Sequence, residues 1–594
     1  MKQLNFSIIT CFFGSIICIL ALATTSGNAQ SPSKPNIILI ITDDQGYGDF
    51  GFTGNPHVRT PHLDQLAGQS IRFENFYVSP VCAPTRSSLL TGRYSLRTGV
   101  HDTYNGGAIM ATEEITIAEM MKEGGYQTGI FGKWHLGDNY PSRPGDQGFD
   151  ESLIHLSGGM GQVGDVTTYF QGDSSYFDPV LWHNDQTQQY SGYCSDIFTT
   201  AAIEFIEAQR NHPFFCYLSF NAPHTPLQVP DQYLERYRDI DPSTGFEGNY
   251  PELEEMTERD KETARKVYAM VDNIDENLGR LLNRLDELGI ADQTWIVFLT
   301  DNGPQQVRYN AGMRGRKSSV YQGGVRVPFL IRPPQALVAP REVESVGAHI
   351  DVLPTIAQIC GLPVPGDRII DGKSLFPLIN GEQDMAEERE LFFYWSRRYP
   401  EKYYNMAYQQ GAFKLVGHTD YDADISEFEL FDLASDPQEQ QNLVHQNPEL
   451  AQRLKAKLDS TYEDLIASQN IHDHPLIYIG HPAENPVILN RNDAAGARGI
   501  WSQSEIYGYW SVRVQPGTYD LRFRFLDPID APGRIILETG PQVLQKTIEP
   551  SGQVLVEMQD VPLPAITRGQ MTAFFQQENR EILPFWIELT KVGE

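Results

Sequence analysis

The sequence predicts an α/β protein: a large, mixed and mostly parallel sheet flanked by helices, then a smaller α+β unit and an extra all-β sandwich. Three observations carry this. From about residue 35 to 385, short apolar runs alternate with helical stretches, the pattern of parallel strands joined by helical crossovers. Residues 386–468 combine strand-like segments with one closing helix. From about 469 the chain alternates apolar and polar positions around Gly and Pro turns. At 594 residues the chain exceeds one ordinary domain, and it divides into 1–30, 31–385, 386–468 and 469–594.

The core elements follow in order. NIILIIT (36–42), PFFCYLSF (213–220) and TWIVFLT (294–300) are continuous apolar runs, as expected of strands buried on both faces. Residues 258–290 place Val267, Val271, Ile274, Leu278, Leu281, Leu285 and Leu288 three and four apart, one face of an amphipathic helix. AYQQGAFKLVGH and FELFDLASDP read as strands of the smaller unit, and NPELAQRLKAKLDSTYEDLIAS as its helix. Near the C-terminus, YGYWSVRVQPGTYDLRFRFLDP alternates on both sides of Pro516-Gly517. Trp501, Tyr507, Tyr509 and Trp510 there can stack on sugars, but alternating aromatics suit a sandwich core.

Residues 1–30 carry Lys2, an apolar run from Phe6 to Ala23 and a small polar exit, the three-part pattern of a secretory signal. No later segment reaches the ~18 apolar residues of a membrane span. The expected protein is therefore exported, periplasmic before secreted or surface-bound, with no stable membrane span once the signal is removed. Of six cysteines, Cys82, Cys194, Cys216 and Cys360 would remain. Four can make two disulfides, but the settings of Cys216 and Cys360 read as buried small residues. The net charge of −31 repels nucleic acid and excludes it as a partner. An anionic substrate would need a local basic pocket.

That pocket has candidates. The core strands run into Asp43-Asp44-Gln45-Gly46, Asn221-Ala222-Pro223-His224 and Asp301-Asn302-Gly303. Strand carboxyl ends form the ligand crevice of open α/β sheets. Clustered carboxylates stay ionised only with a cation among them, and oxygen donors favour Ca²⁺ or Mg²⁺. Either dyad alone is ordinary turn chemistry; two at separate strand ends point to a metal site. GIFGKWHLGD (129–138) adds Lys133 and His135, which alternate onto one side of an extended segment. RGRKSSVYQGGVRVP (314–328) adds Lys317, with Gly323 and Gly324 permitting close backbone approach. Cys82 opens CAPTRSSLLTGRY, where Pro84 suits a first helical turn. A helix starting there aims free N–H groups at an anion; a buried structural thiol is the plain alternative.

These residues resemble the sulfatase family. Cys82-Ala83-Pro84-Thr85-Arg86, continued by Ser87, Leu90, Thr91, Gly92 and Arg93, is similar to the family's cysteine motif. The Asp43–Gly46, Gly132–Gly137, Ala222–Pro226, Thr300–Gly303 and Gly323–Pro328 stretches fall in the family's order, as does Asp436-Pro437 with Glu439, Asn442 and Leu443. The match spans roughly 35 to 465. It implies an alkaline-phosphatase-like fold and sulfate monoester hydrolysis through Cys82 oxidised to formylglycine (3-oxoalanine) by a maturation enzyme. The hydrated aldehyde attacks sulfur, and its second hydroxyl then expels sulfate. By the same resemblance Asp43, Asp44, Asp301, Asn302 and modified Cys82 bind one Ca²⁺, Arg86 holds the diol and the carboxylates, and Lys133 and Lys317 clamp sulfate. The resemblance further implies that His135 is the base and that His224 hydrogen-bonds the ester oxygen and protonates the leaving group, a role Lys317 can share. Ser157 has uncertain spacing and stays outside the site, and Gln322 stands at the expected pocket rim where an acidic residue is common.

The expected substrate is a sulfated polysaccharide or its oligosaccharides, from export, acidity suited to saline surroundings and the added β region. Marine algal glycans such as ulvan or carrageenan fit, with host glycosaminoglycans as the other source. The rivals are a general arylsulfatase, a phosphonate or phosphodiester hydrolase, which Asn302 disfavours because such relatives tend to carry histidine there, and a binding protein on a dead scaffold.

Overall fold

The computed structural model describes residues 34–246, 255–334, 337–382, 389–397, 399–496, 508–540, 542–578 and 580–593. The signal expected at 1–30 lies outside the described residues, as do Trp501 and Tyr507. Among the described residues, no helix is long and apolar enough to cross a membrane.

Eleven strands make the main sheet. They are β1 (Asn36–Thr42), β2 (Ile71–Tyr77), β3 (Gln127–Lys133), β4 (Glu151–His155), β5 (Val180–His183) and β6 (Gln186–Gln189). The rest are β7 (Phe214–Ser219), β8 (Thr294–Thr300), β9 (Arg326–Arg332), β10 (Arg341–Val343) and β11 (Gly347–Ala348). Their order is β10-β2-β9-β8-β1-β7-β3-β4-β5-β6, with β11 beside β2. Central β1 runs parallel to both β7 and β8, and β3 runs parallel to β7 and β4. Antiparallel β9 and β5–β6 make the sheet mixed.

The unbroken apolar runs have a direct cause. Ile38, Ile40 and Phe298 pack on one face with the helices Cys194–Gln209 and Glu258–Leu288, while Ile37, Leu39 and Leu299 pack on the other with Leu89, Leu90 and Ile356. A strand covered on both faces has no polar side to alternate. The long helix begins at a Thr257–Asp260 capping box and stops at Gly289, whose φ of +68° suits glycine. Edge strand β6, by contrast, is exposed throughout and polar.

A second sheet orders Glu390–Tyr394, Met406–Gln410, Phe413–Gly417 and Glu429–Asp432, all antiparallel. The helix Pro448–Ile466 covers it through Leu454, Leu458 and Leu465. Beyond it, a seven-stranded and a four-stranded sheet share one core. Gly508–Val514 and Gly517–Arg524, the strands on either side of Pro516-Gly517, lie in different sheets. The turn therefore crosses the sandwich, and Trp510, Val512, Leu521 and Phe523 meet in its core from opposite sides. Trp510 is fully buried, with its indole N–H donated to the Asn490 carbonyl at 2.7 Å.

None of the four described cysteines is in a disulfide. Cys216 is buried as expected; Cys360 is only half-buried, because it ends the helix Val352–Cys360 where the chain leaves the core.

Candidate active site

The three central strand ends are stitched together. Asp43 N–H donates to the Ala222 carbonyl (3.2 Å), Asp301 N–H to Thr42 (3.1 Å) and Asp44 N–H to Asp301 Oδ1 (3.1 Å). Asp44 takes a left-handed φ of +63°, which short polar side chains tolerate. Arg308, buried, holds this turn. It donates to the Asp44 carbonyl (2.7 Å) and pairs with buried Asp49 (2.6 Å), which in turn receives Gly46 N–H (2.7 Å). Glycine is required at 46, since a Cβ there would stand 2.6 Å from Pro304, and at 303, where it would meet the Gly323 carbonyl at 1.8 Å. The close approach expected of the Gly323 segment is therefore made.

Around these ends sit three buried carboxylates and three cations. Lys133 Nζ lies 2.6 Å from Asp43 Oδ2, Lys317 Nζ 2.5 Å from Asp44 Oδ1, and Arg86 donates to Asp301 Oδ2 through Nη2 (2.8 Å) and Nε (3.2 Å). Arg86 Nη1 donates to Ser219 Oγ (2.6 Å), whose own hydroxyl donates to the Lys133 carbonyl (2.7 Å). Burial and then repulsion from Asp43 push the Asp301 carboxyl up to about 7. Burial would raise Asp44 too, but the Lys317 ammonium and the His224 ring outweigh it and hold Asp44 below the usual carboxylate range.

The donor set fits a hard cation. Asp43 Oδ1, Asp44 Oδ2, Gln45 Oε1 and Asn302 Oδ1 are buried without a hydrogen-bond partner among the described residues. Asp43, Cys82 and Asp301 bring one ligand atom each within 4.8 Å of one another, as do Asp43, Asp44 and His224. Asn302 gives its Nδ2 to Asp44 Oδ1 (2.8 Å), which leaves its oxygen unused. Buried acceptors left unpaired are costly, and a divalent ion satisfies several at once.

Cys82 begins the helix Cys82–Thr91 after extended Val81, with Pro84 in its first turn. Burial pushes its thiol up. A cavity of about 320 Å³ opens on it, shared with His135, His224 and Lys317. Other cavities of about 380 and 510 Å³ contain none of the ten predicted site residues.

The two histidines differ in tautomer. His135 Nε2 faces the Thr103 carbonyl at 2.8 Å, so it carries the hydrogen. Nδ1 keeps its lone pair, buried and without a partner among the described residues. Burial, then the Lys133 charge, holds the ring well below the usual histidine range. His224 donates from Nδ1 to the Thr225 carbonyl (2.7 Å), and its Nε2 lies 3.7 Å from Asp44 Oδ2. Burial, then Lys317, lowers it to about 3.

All ten predicted site residues thus converge: Asp43, Asp44, Cys82, Arg86, Lys133, His135, His224, Asp301, Asn302 and Lys317. Two local expectations are corrected. His135 is not on an extended segment but has φ +64°, because the chain turns just past β3. Gln322 is not at a rim; it is buried, and its N–H donates to Glu439 at 2.6 Å. Ser157, left outside the site, lines the 380 Å³ cavity and not the one over Cys82. Sequence reasoning missed Ser219, the Asp49–Arg308 pair, Arg397 and Asn492, the last two of which line the cavity over Cys82. Asp49 and Arg308 are 259 positions apart and no local pattern marks either.

A family model described as Sulfatase matches residues 35–362, and one described as N-sulphoglucosamine sulphohydrolase, C-terminal, matches 316–466. Arylsulfatase A of Homo sapiens is 31% identical over 490 residues, 73% of this chain and 89% of its own. N-acetylgalactosamine-6-sulfatase of Homo sapiens is 31% identical over 396 residues, 62% of this chain and 70% of its own. Among solved structures, Ps i-CgsB in complex with k-i-k-neocarrahexaose superposes with TM-score 0.63 at 28% identity, covering 74% of this chain and 95% of that one.

Proposed function

The chain belongs to the sulfatase family and is a sulfuric ester hydrolase, and from that premise we propose that it desulfates a sulfated polysaccharide or its oligosaccharides, using one Ca²⁺ and a formylglycine at position 82. The observation that carries the chemistry is that Cys82 and Lys317 line one cavity while ligand atoms of Asp43, which pairs with Lys133, and of Asp301 lie within 4.8 Å of that of Cys82, with buried carboxylate and amide oxygens unpaired among the described residues.

Asp43, Asp44, Asp301 and Asn302, with residue 82, would hold the ion, which supplies positive charge for the sulfate and for deprotonation nearby. The hydrated aldehyde supplies the attacking hydroxyl. Around them the chain's own residues act. Arg86 fixes Asp301 and, through Ser219, the end of β3. Lys133 and Lys317 place ammonium charge against the sulfate oxygens, preorganised by buried carboxylates. His135 accepts a proton at its free Nδ1. His224, neutral in this arrangement, must gain a proton at Nε2 before it can donate to the leaving oxygen; Lys317, raised by Asp44 and still protonated, shares that position.

The glycan reading draws on the similarity to Ps i-CgsB bound to neocarrahexaose, on the acidic composition and on the β sheets beyond the matched families. It favours a carrageenan-type galactan, with ulvan and glycosaminoglycans in the same panel. The leader-like residues 1–30 support export to the periplasm, and Cys82-x-Pro84-x-Arg86 supports a formylglycine-generating partner.

The test is sulfate release from defined sulfated oligosaccharides beside 4-nitrophenyl sulfate and an aryl phosphodiester, with mass spectrometry of residue 82. Release from aryl sulfate alone rejects the glycan; faster phosphodiester turnover rejects sulfate; an unmodified thiol in active enzyme rejects the nucleophile.

A further inference from the structure

One loop of the C-terminal sandwich reaches the catalytic cavity. Asn492, at the end of the segment that follows the strand Val487–Asn490, lines the same cavity as Cys82, His135, His224 and Lys317. The family-matched part of the chain ends at residue 466, so this side chain lies beyond the matched part. We propose that Asn492 is a specificity-determining residue whose amide binds a hydroxyl of the sugar that carries the sulfate ester; this rests on the glycan-sulfatase reading above.

The loop is built to present that side chain. Asn490 Oδ1 receives the N–H groups of Asn492 (2.7 Å) and Asp493 (3.2 Å), closing a tight turn. Arg491, fully buried, ties the turn back to the sandwich by donating to the Pro584 carbonyl at 3.0 Å. From the other side, Gly106 N–H donates to the Asn492 carbonyl (3.1 Å). Gly164 lets the loop in, since a Cβ there would stand 2.5 Å from that of Asn492. Asn490 Nδ2 donates to Asp138 Oδ2 (2.8 Å), three residues beyond His135.

The backbone of Asn492 therefore secures the loop, and its amide is not needed for that. Among the described residues, the amide makes one long hydrogen bond, 3.4 Å to Asp493 Oδ1. The residue as a whole is 3% exposed and is one of those that line the cavity. An amide offers both donor and acceptor, as a hydroxyl does. The nearby lining is of the same kind: Gln162, Thr225, Gln305 and Thr103 are neutral and polar, and the one added charge, Arg397, already pairs with Asp102 at 3.0 Å. Such a wall suits a polyhydroxylated ring better than a bare aryl group.

The experiment compares kcat/KM of the full-length matured protein on neocarrahexaose and on 4-nitrophenyl sulfate, for the parent, Asn492→Ala and Asn492→Asp. Losing one neutral hydrogen bond lowers the ratio of glycan to aryl turnover about tenfold in Asn492→Ala, with the larger change in KM. Asn492→Asp keeps the shape of the loop, so it tests the amide should the alanine variant fold poorly. A ratio unchanged in the well-folded variant, whether both activities fall or neither does, overturns the assignment while leaving the glycan reading in place. A parent that cleaves the aryl ester and no glycan in the panel overturns that reading, and the assignment with it.

Discussion

Two buried polar clusters lie close together in this molecule and are built on opposite terms. At the catalytic strand ends, Asp43, Asp44 and Asp301 face Lys133, Lys317 and Arg86, and four buried oxygens are unpaired among the described residues. At the seam with the C-terminal sandwich, Asp138, Glu484 and Asp493 are met by amides. Asn490 donates to Asp138 (2.8 Å), Asn139 to Glu484 (3.1 Å), and the Tyr140 and Asp138 N–H groups to Glu484 (2.7 Å) and Asp493 (3.2 Å). There only Asn139 Oδ1 is buried without a partner among the described residues. The seam is satisfied by neutral partners and its carboxyls drift upward. Burial takes Glu484 to about 7 and Asp493 to about 6, and burial with the nearby Asp493 raises Asp138 well above its usual range. Buried charge met by charge, with acceptors to spare, marks chemistry; buried acid met by amides marks attachment.

The contrast can be broken in several places. The largest effect belongs to Cys82→Ala, which should lower sulfate release on the order of 10⁴-fold or more by removing the nucleophile's precursor; turnover near the parent's would end the reading of the first cluster. Next is chelation. Dialysis against EDTA should lower activity about 10²- to 10³-fold, with return on adding Ca²⁺. Full activity after verified metal removal would make the unpaired oxygens structural. Ser219→Ala leaves a donor of Arg86 unmet and frees the Lys133 carbonyl, and should lower kcat about tenfold, checked by steady-state kinetics.

The smallest effect sharpens the seam. Its carboxyls have folded values raised above their unfolded ones, so the folded protein keeps protons that the unfolded chain releases. The associated stability is present below about pH 4 and is lost as pH rises to about 6 or 7. Asp138→Asn keeps an acceptor for Asn490 without titrating, and should flatten the fall in thermal midpoint between pH 5 and 7 by about 2 °C. An identical pH profile in the variant would show that the seam carboxyls are ionised throughout.

Much of the site is legible in the amino-acid order. Asp43-Asp44 and Asp301-Asn302 follow unbroken apolar runs, and such runs announce a central strand whose end faces the crevice. Cys82 is legible because proline two positions on fits a helix start. Ser219 is hidden inside an apolar strand as one more small residue. Arg308 and Asp49 are hidden by their 259-residue separation, and Asn492 by belonging to a part of the chain that reads as an appendage. The Pro516-Gly517 turn joins two alternating segments without showing that they part company, because alternation shows which residues face a core but not which sheet a strand joins.

What the sequence determined by itself was therefore local: which runs are strands covered on both faces, where they end in polar residues, and where a helix begins at Cys82. Those follow from periodicity and from the backbone preferences of proline and glycine. Only the tertiary structure decided that Arg86 and Lys133 share Ser219, that His135 keeps Nδ1 free, and that the last sheets deliver Asn492 to the cavity. Contacts between residues hundreds of positions apart depend on how the faces pack, and composition and spacing do not encode that separately from the fold.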